Sequence, residues 1–107
     1  MNEKGVRVMY KHIVIWNFKE EFTPEENKEH AAKAKRELEA LPGLIPGVVE
    51  LKVYTELLPS GDTDVILESV FESEEALANY TPHPEHQRVA EYIRTVFTNR
   101  RCADYRI

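Results

Sequence analysis

Four histidines, His12, His30, His83 and His86, carry most of the chemistry legible in this 107-residue sequence. A histidine near its unperturbed pKa of about 6.5 can accept or donate a proton at neutral pH. Tyr80 lies shortly before His83 and His86, and a phenol hydroxyl can polarise a carbonyl and steady an enolate. Removing a proton next to a carbonyl needs both roles, which makes His86 and Tyr80 the candidate catalytic pair. A plainer alternative stands slightly ahead of it: His83 caps a helix, His86 bonds a backbone group at the helix start, and Tyr80 sits at the core edge with its hydroxyl in water. A metal reading is weaker. His83 and His86 are three apart, a spacing that can place two ligands on one helical face. Pro84, however, puts His83 at the cap, and no acidic or cysteine partner is placed beside them. Neither a metal nor a cofactor is therefore expected.

The elements that must position these residues follow from periodicity. From Lys11 to Lys19 the chain reads as a strand apolar on both faces, with His12, Val14, Trp16 and Phe18 on one side and Ile13, Ile15 and Asn17 on the other. Thr23-Pro24-Glu25-Glu26 starts a helix through a capping box with proline at its first position. Ala31, Ala34, Leu38 and Leu41 continue it at helical spacing, and Gly43 is the expected stop. A second strand spans Gly47 to Thr55, with Val49, Leu51 and Val53 on one face. After the turn Pro59-Ser60-Gly61-Asp62, a third spans Asp64 to Glu72, with Val65, Leu67 and Phe71 opposite Ile66 and Val70. Ser73 caps a short helix to Tyr80, Pro82 and Pro84 end it, and Pro84 opens another helix. The apolar stripe of that helix is His86, Val89, Ala90, Ile93 and Phe97, and Arg100 to Ile107 is a last strand. The order β-α-β-β-α-β defines a ferredoxin-like α+β fold, a four-stranded antiparallel sheet with helices on one face.

Helices on one face leave the other uncovered. Ile13, Ile15, Ile66 and Val70 would then form an exposed apolar patch, and the loops are too short to cover it. A second copy, sheet against sheet about a two-fold axis, is the economical cover, so the expected partner is the chain itself.

Composition removes several function classes. Fourteen basic against 19 acidic residues leave a net charge of −5. No basic face offsets that balance, which argues against nucleic acid and anionic lipid as partners. The single cysteine, Cys102, excludes an internal disulfide framework, and a buried, inert thiol is the default for it. No apolar run approaches the ~18 residues of a membrane span. Met1 to Val8 is polar, lacks a signal-peptide core and reads as a tail, so the domain is expected to cover residues 9–107 and the protein to be cytoplasmic. Arg100-Arg101 could bind an anion, but such a pair is more often solvated or matched with glutamate. Only four glycines occur, and no phosphate loop or nucleophile elbow is found.

Several segments share their order and spacing with a known family. They are Lys11-His12-Ile13-Val14, Leu41-Pro42-Gly43-Leu44-Ile45-Pro46-Gly47, Phe71 to Leu77, Tyr80, His83-Pro84-Glu85-His86 and Asp104-Tyr105. Over about Met9 to Ile107 the sequence resembles the stress-responsive A/B barrel family, the Dabb domain. The resemblance implies a dimeric α/β barrel, with a cavity between sheet and helices. One plant branch of that family cyclises polyketides by aldol chemistry. Against it, His86 and Tyr80 match the catalytic pair and His12 a pocket histidine. Val14, Trp16, Leu67, His30, Ala34 and His83 complete the expected ligand-binding set. Ala34 stands where that branch carries a pocket tyrosine, His30 and Ala31 stand where it has large apolar side chains, and Trp16 fills space. These departures argue against a polyketide substrate. Three readings stay open: a small-molecule binding protein, a cofactor-free cyclase, isomerase or lyase, and a stress-associated assembly protein whose histidines are structural.

Overall fold

The computed structural model describes residues 8–107, so most of the expected tail, residues 1–7, lies outside the described residues. The elements are β1 (Tyr10–Phe18), α1 (Pro24–Glu39), β2 (Val48–Tyr54), β3 (Val65–Phe71), α2 (Glu74–Tyr80), α3 (Pro84–Val96) and β4 (Phe97–Arg106). The strands form one antiparallel sheet in the order β2-β3-β1-β4. This is the ferredoxin-like α+β plan expected from the sequence.

Local signals act as their chemistry dictates. The Thr23 hydroxyl accepts from the Glu26 amide at 3.1 Å, and the Glu26 carboxylate accepts from the Thr23 amide at 2.8 Å. These bonds satisfy two of the free amides at the start of α1. Ala31, Ala34 and Leu38 face the core from this helix. It ends at Glu39, earlier than Gly43, and a 3-10 turn over Leu41–Gly43 follows. Pro42 has no amide hydrogen to continue the helical ladder.

On β1 the alternation is strict: His12, Val14 and Trp16 are buried, while Ile13 and Ile15 on the outer face are partly covered. On β3, Val65, Leu67, Ser69 and Phe71 are buried under the helices. Two bulges break the pattern elsewhere. Val48 pairs with Phe71 and Glu50 with Val70, so β2 carries an extra residue. Val49 is therefore 50% exposed and not on the face of Leu51 and Val53, where Val48 takes its expected place. Just before it, Gly47 has φ +87°, and a Cβ there would lie 2.4 Å from the Ala76 Cβ, so only glycine fits.

The second bulge lies on β4. Ile15 pairs with Arg101 and Asn17 with Thr98, leaving Asn99 and Arg100 opposite Trp16. Asn99 adopts φ 55°, a left-handed conformation that asparagine tolerates. Phe97 is not the end of the α3 stripe; it is extended, begins β4 and pairs with Phe18. It is still buried, against Trp16 at 5.6 Å between ring centroids. The final strand thus starts at Phe97, not Arg100. Beyond Thr98 its residues are exposed, and Cys102 is exposed rather than buried, because no helix among the described residues covers this part of the strand.

Candidate functional site

A cavity of about 610 Å³ lies between α3 and the sheet. His12, Val14 and Trp16 of β1 and Leu67 of β3 form its floor, Ile93 and Phe97 lie along α3 and its end, and Tyr80 and His86 close one end. Exposed Thr81, Arg94, Asn99 and Arg100 stand where it opens to water. Of the residues expected to bind a ligand or act on it, the cavity brings together His12, Val14, Trp16, Leu67, Tyr80 and His86. His30, Ala34 and His83 stand apart from it. The His30 ring packs edge-on against Phe22 at 4.5 Å. Ala34 is fully buried in the core, where it lets α1 approach the sheet closely. His83 is the N-cap of α3, its Nδ1 accepting from the Glu85 amide at 3.1 Å.

Each polar group of the cavity is held in a defined state. The His12 Nδ1 bonds the Asp104 carboxylate, which its strand partner on β4 supplies. The His86 Nδ1 donates to the Thr81 carbonyl at 2.9 Å. A carbonyl oxygen can only accept, so His86 carries its hydrogen on Nδ1 and Nε2 is the basic nitrogen of the neutral ring. Burial holds His86 below the usual histidine range, an effect partly offset by the bond to Thr81, so the ring is neutral at pH 7. A backbone bond for His86 and a cap for His83 are what the plainer sequence reading expects.

Tyr80 departs from that reading. Its hydroxyl is not in water: the residue is 1% exposed, and the buried oxygen has no hydrogen-bond partner among the described residues. Its ring lies 4.4 Å from His86, 5.0 Å from Phe71 and 6.1 Å from His12, between centroids. Burial pushes the phenol pKa far up, so the hydroxyl stays protonated and can only be a neutral donor or acceptor.

Asp104, which the sequence did not single out as a site residue, holds the cavity histidine His12 from outside the cavity lining, and Arg100, weighed in the sequence only as a possible anion-binding pair with Arg101, lines the cavity. A larger groove of about 960 Å³ runs by α1 and the segment after β2, but no histidine lines it. Among the described residues no group of three or more His, Cys, Asp or Glu could hold a metal ion. The Nδ1 atoms of His83 and His86 serve different backbone groups, the Glu85 amide and the Thr81 carbonyl.

The sheet order and the helix-covered cavity define a ferredoxin-like α+β domain. The sequence matches the Stress responsive A/B Barrel Domain over residues 10–107, and the chain belongs to that family. No curated protein matches it. Among solved structures, a Bacteroides fragilis protein described as dimeric, ferredoxin-like and of unknown function is 27% identical. The match covers 92% of this chain and 96% of that one, with a TM-score of 0.86. A Mesorhizobium loti Dabb family protein with a ferredoxin-like fold is 22% identical, covering 92% and 96%, with a TM-score of 0.66. The hydroxynitrile lyase of Passiflora edulis is 19% identical, covering 92% and 93%, with a TM-score of 0.77.

Proposed function

We propose that the cavity binds a small molecule through a carbonyl oxygen, with the Tyr80 hydroxyl as the donor. The observation that carries this reading is Tyr80: the residue lines the cavity beside His12 and His86, and its hydroxyl is buried, protonated and without a partner among the described residues. A buried polar group left unpaired costs about 1–3 kcal/mol, which a ligand oxygen would recover. Trp16, the single tryptophan, lies on the cavity floor and reports occupancy by its fluorescence. Titration with 4-phenyl-2-butanone is expected to change that emission, with binding about fivefold weaker in Tyr80→Phe. Equal binding by the variant removes the hydroxyl from the reading, and an unchanged emission at millimolar ketone removes the reading itself.

The neutral, backbone-anchored His86 favours a second reading, acid–base chemistry in the same cavity. Its Nε2 takes a proton from the carbon next to the carbonyl. The C–H electron pair becomes the enolate double bond, and the oxygen takes the charge against the Tyr80 hydroxyl. Return of the proton from the imidazolium to the enolate completes an isomerisation without a cofactor. In a cyclisation the enolate carbon instead bonds a second carbonyl carbon of the ligand, whose oxygen takes the proton, and in a lyase step the enolate pair expels a group from the next carbon, which leaves with the proton. A lyase is known on this fold, in the Passiflora edulis neighbour. The test is deuterium uptake at the α-carbons of the same ketone in D2O, followed by NMR. Catalysed exchange that survives His86→Ala takes that residue out of the mechanism.

The working unit we infer is a homodimer of residues 9–107, acting in the cytoplasm. Ile13, Ile15, Ile66 and Val70 form a partly covered apolar patch on the outer face of the sheet, and the Bacteroides fragilis relative is described as dimeric. Among the described residues no helix is long and apolar enough to cross a membrane. Sedimentation velocity should give a dimer at micromolar concentration and a monomer for the Ile13→Lys, Ile66→Lys double variant. A monomer for the unaltered protein overturns the interface, and with it an assembly role.

A further inference from the structure

The cavity mouth carries a charge pattern opposite to that of the chain. The protein has a net charge of −5. Yet Arg94, from the last turn of α3, and Arg100, from the β4 bulge, both stand at the opening. Neither meets a carboxylate among the described residues, whose ion pairs are His12–Asp104, Lys35–Glu39, Arg88–Glu37 and Arg88–Glu85. Asp104, the acid nearest the cavity histidines, is already engaged by His12. Arg101, the neighbour in sequence, pairs with outward-facing Ile15 and belongs to the other face. The left-handed Asn99 makes this sorting possible: without the extra residue, the alternation from Phe97 would turn Arg100 to the outer face. Beside the two arginines the lining combines apolar Val14, Trp16, Ile93 and Phe97 with His12, Tyr80 and His86.

An unpaired arginine pair beside apolar side chains suits one kind of guest. From this juxtaposition we infer that the site selects a small apolar molecule bearing one carboxylate, the acid held at the mouth by Arg94 and Arg100 and the apolar body lying on Trp16 and Phe97. Guanidinium groups match a carboxylate through parallel N–H bonds. This rests on the binding role of the cavity given above and adds the charge of its ligand.

The experiment compares two probes of nearly equal shape, 4-phenylbutyrate and 4-phenylbutanamide, titrated against the full chain with Trp16 emission and calorimetry as readouts. The acid is expected to bind about five to tenfold tighter than the amide. That ratio should fall to about one in Arg94→Gln, Arg100→Gln; both side chains are exposed, so the fold should tolerate the change. A measurement needing no variant runs beside it: in the unaltered protein, raising salt from about 0.05 to 0.5 M should shrink the ratio, because screening acts on the acid alone. If amide and acid bind equally, the carboxylate preference is overturned while the cavity reading stands. A ratio that persists in the double variant or at high salt removes the two arginines as its source. If neither probe binds at millimolar concentration, both the cavity reading and this inference fall.

Discussion

The two edges of the sheet are built differently. On β2, helix α1 reaches over and closes the edge. The Glu39 carboxylate accepts from the Val53 amide at 2.9 Å, and the Lys35 ammonium donates to the Val53 carbonyl at 2.7 Å and to Glu39 at 2.8 Å. One residue's outward-pointing backbone groups are thus satisfied by an i,i+4 ion pair. On β4, nothing among the described residues closes the edge: from Asn99 onward every residue is exposed. Charged side chains at Arg100, Arg101, Asp104 and Arg106 guard it instead, which discourages unwanted strand pairing. The closed edge borders the groove along α1, whose lining holds no histidine. Behind the open edge lies the cavity, whose His12 is oriented by Asp104 from that strand. Stability and chemistry are therefore divided between the edges, and substitutions at each should fail differently.

The largest effect is expected where β2 begins. Gly47→Ala places a methyl group against the Ala76 Cβ in a left-handed conformation, and should cost about 3 kcal/mol in urea unfolding. A loss below about 1 kcal/mol would mean that α2 moves aside freely and that this end of the edge is not fixed. Next comes the clip itself. Glu39→Ala leaves the Val53 amide without its acceptor and should cost about 1–1.5 kcal/mol, with faster hydrogen exchange at Val53. Exchange as slow as in the parent would show that the carboxylate does not close the edge.

The open edge should respond in the opposite sense. Asp104→Asn is expected to change stability by less than about 1 kcal/mol, since the carboxylate is 48% exposed. It should nonetheless weaken the hold on the His12 ring, read from the Nδ1 shift by NMR. A stability loss as large as that of Glu39→Ala would erase the contrast between the edges. The smallest effect concerns pH. Burial holds the His86 pKa in the folded chain below its unfolded value. As pH falls from about 7 the unfolded state takes up that proton first, so stability present above the unfolded pKa is lost toward the folded one. His86→Gln should flatten this acid limb. An identical slope in parent and variant would mean that burial does not act on this ring.

The sequence made one side of the cavity plain and hid the other. His12, Val14 and Trp16 could be placed together because β1 keeps a strict two-residue period. His83 and His86 could be separated because Pro84 must open a helix. Leu67 followed from the same alternation on β3. Asp104 and Arg100 could not be placed, since their facing depends on the bulge at Asn99 and on the β1–β4 register, neither of which a local pattern encodes. Val49 was misplaced for the same reason on β2, and Phe97 because strand pairing with Phe18 outweighed its helical spacing. Exposure of Cys102 depends on how far α3 reaches, a tertiary matter. Tyr80 was placed at the core edge, but its unpartnered hydroxyl emerges only when Phe71, His12 and His86 surround it.

One pairing at the margin of the sheet has a practical use. Met9 and Ile107 exchange both backbone hydrogen bonds, at 2.9 and 3.3 Å, extending the β1–β4 ladder past the last strand residue. The N-terminal and C-terminal ends of the folded unit therefore lie side by side. A few glycine and serine residues could join them into a continuous hairpin, with new ends opened in the exposed turn at Ser60-Gly61. Such a circular permutant would make His12 and Asp104 near neighbours along the chain, turning a contact between opposite ends of the polypeptide into a local one.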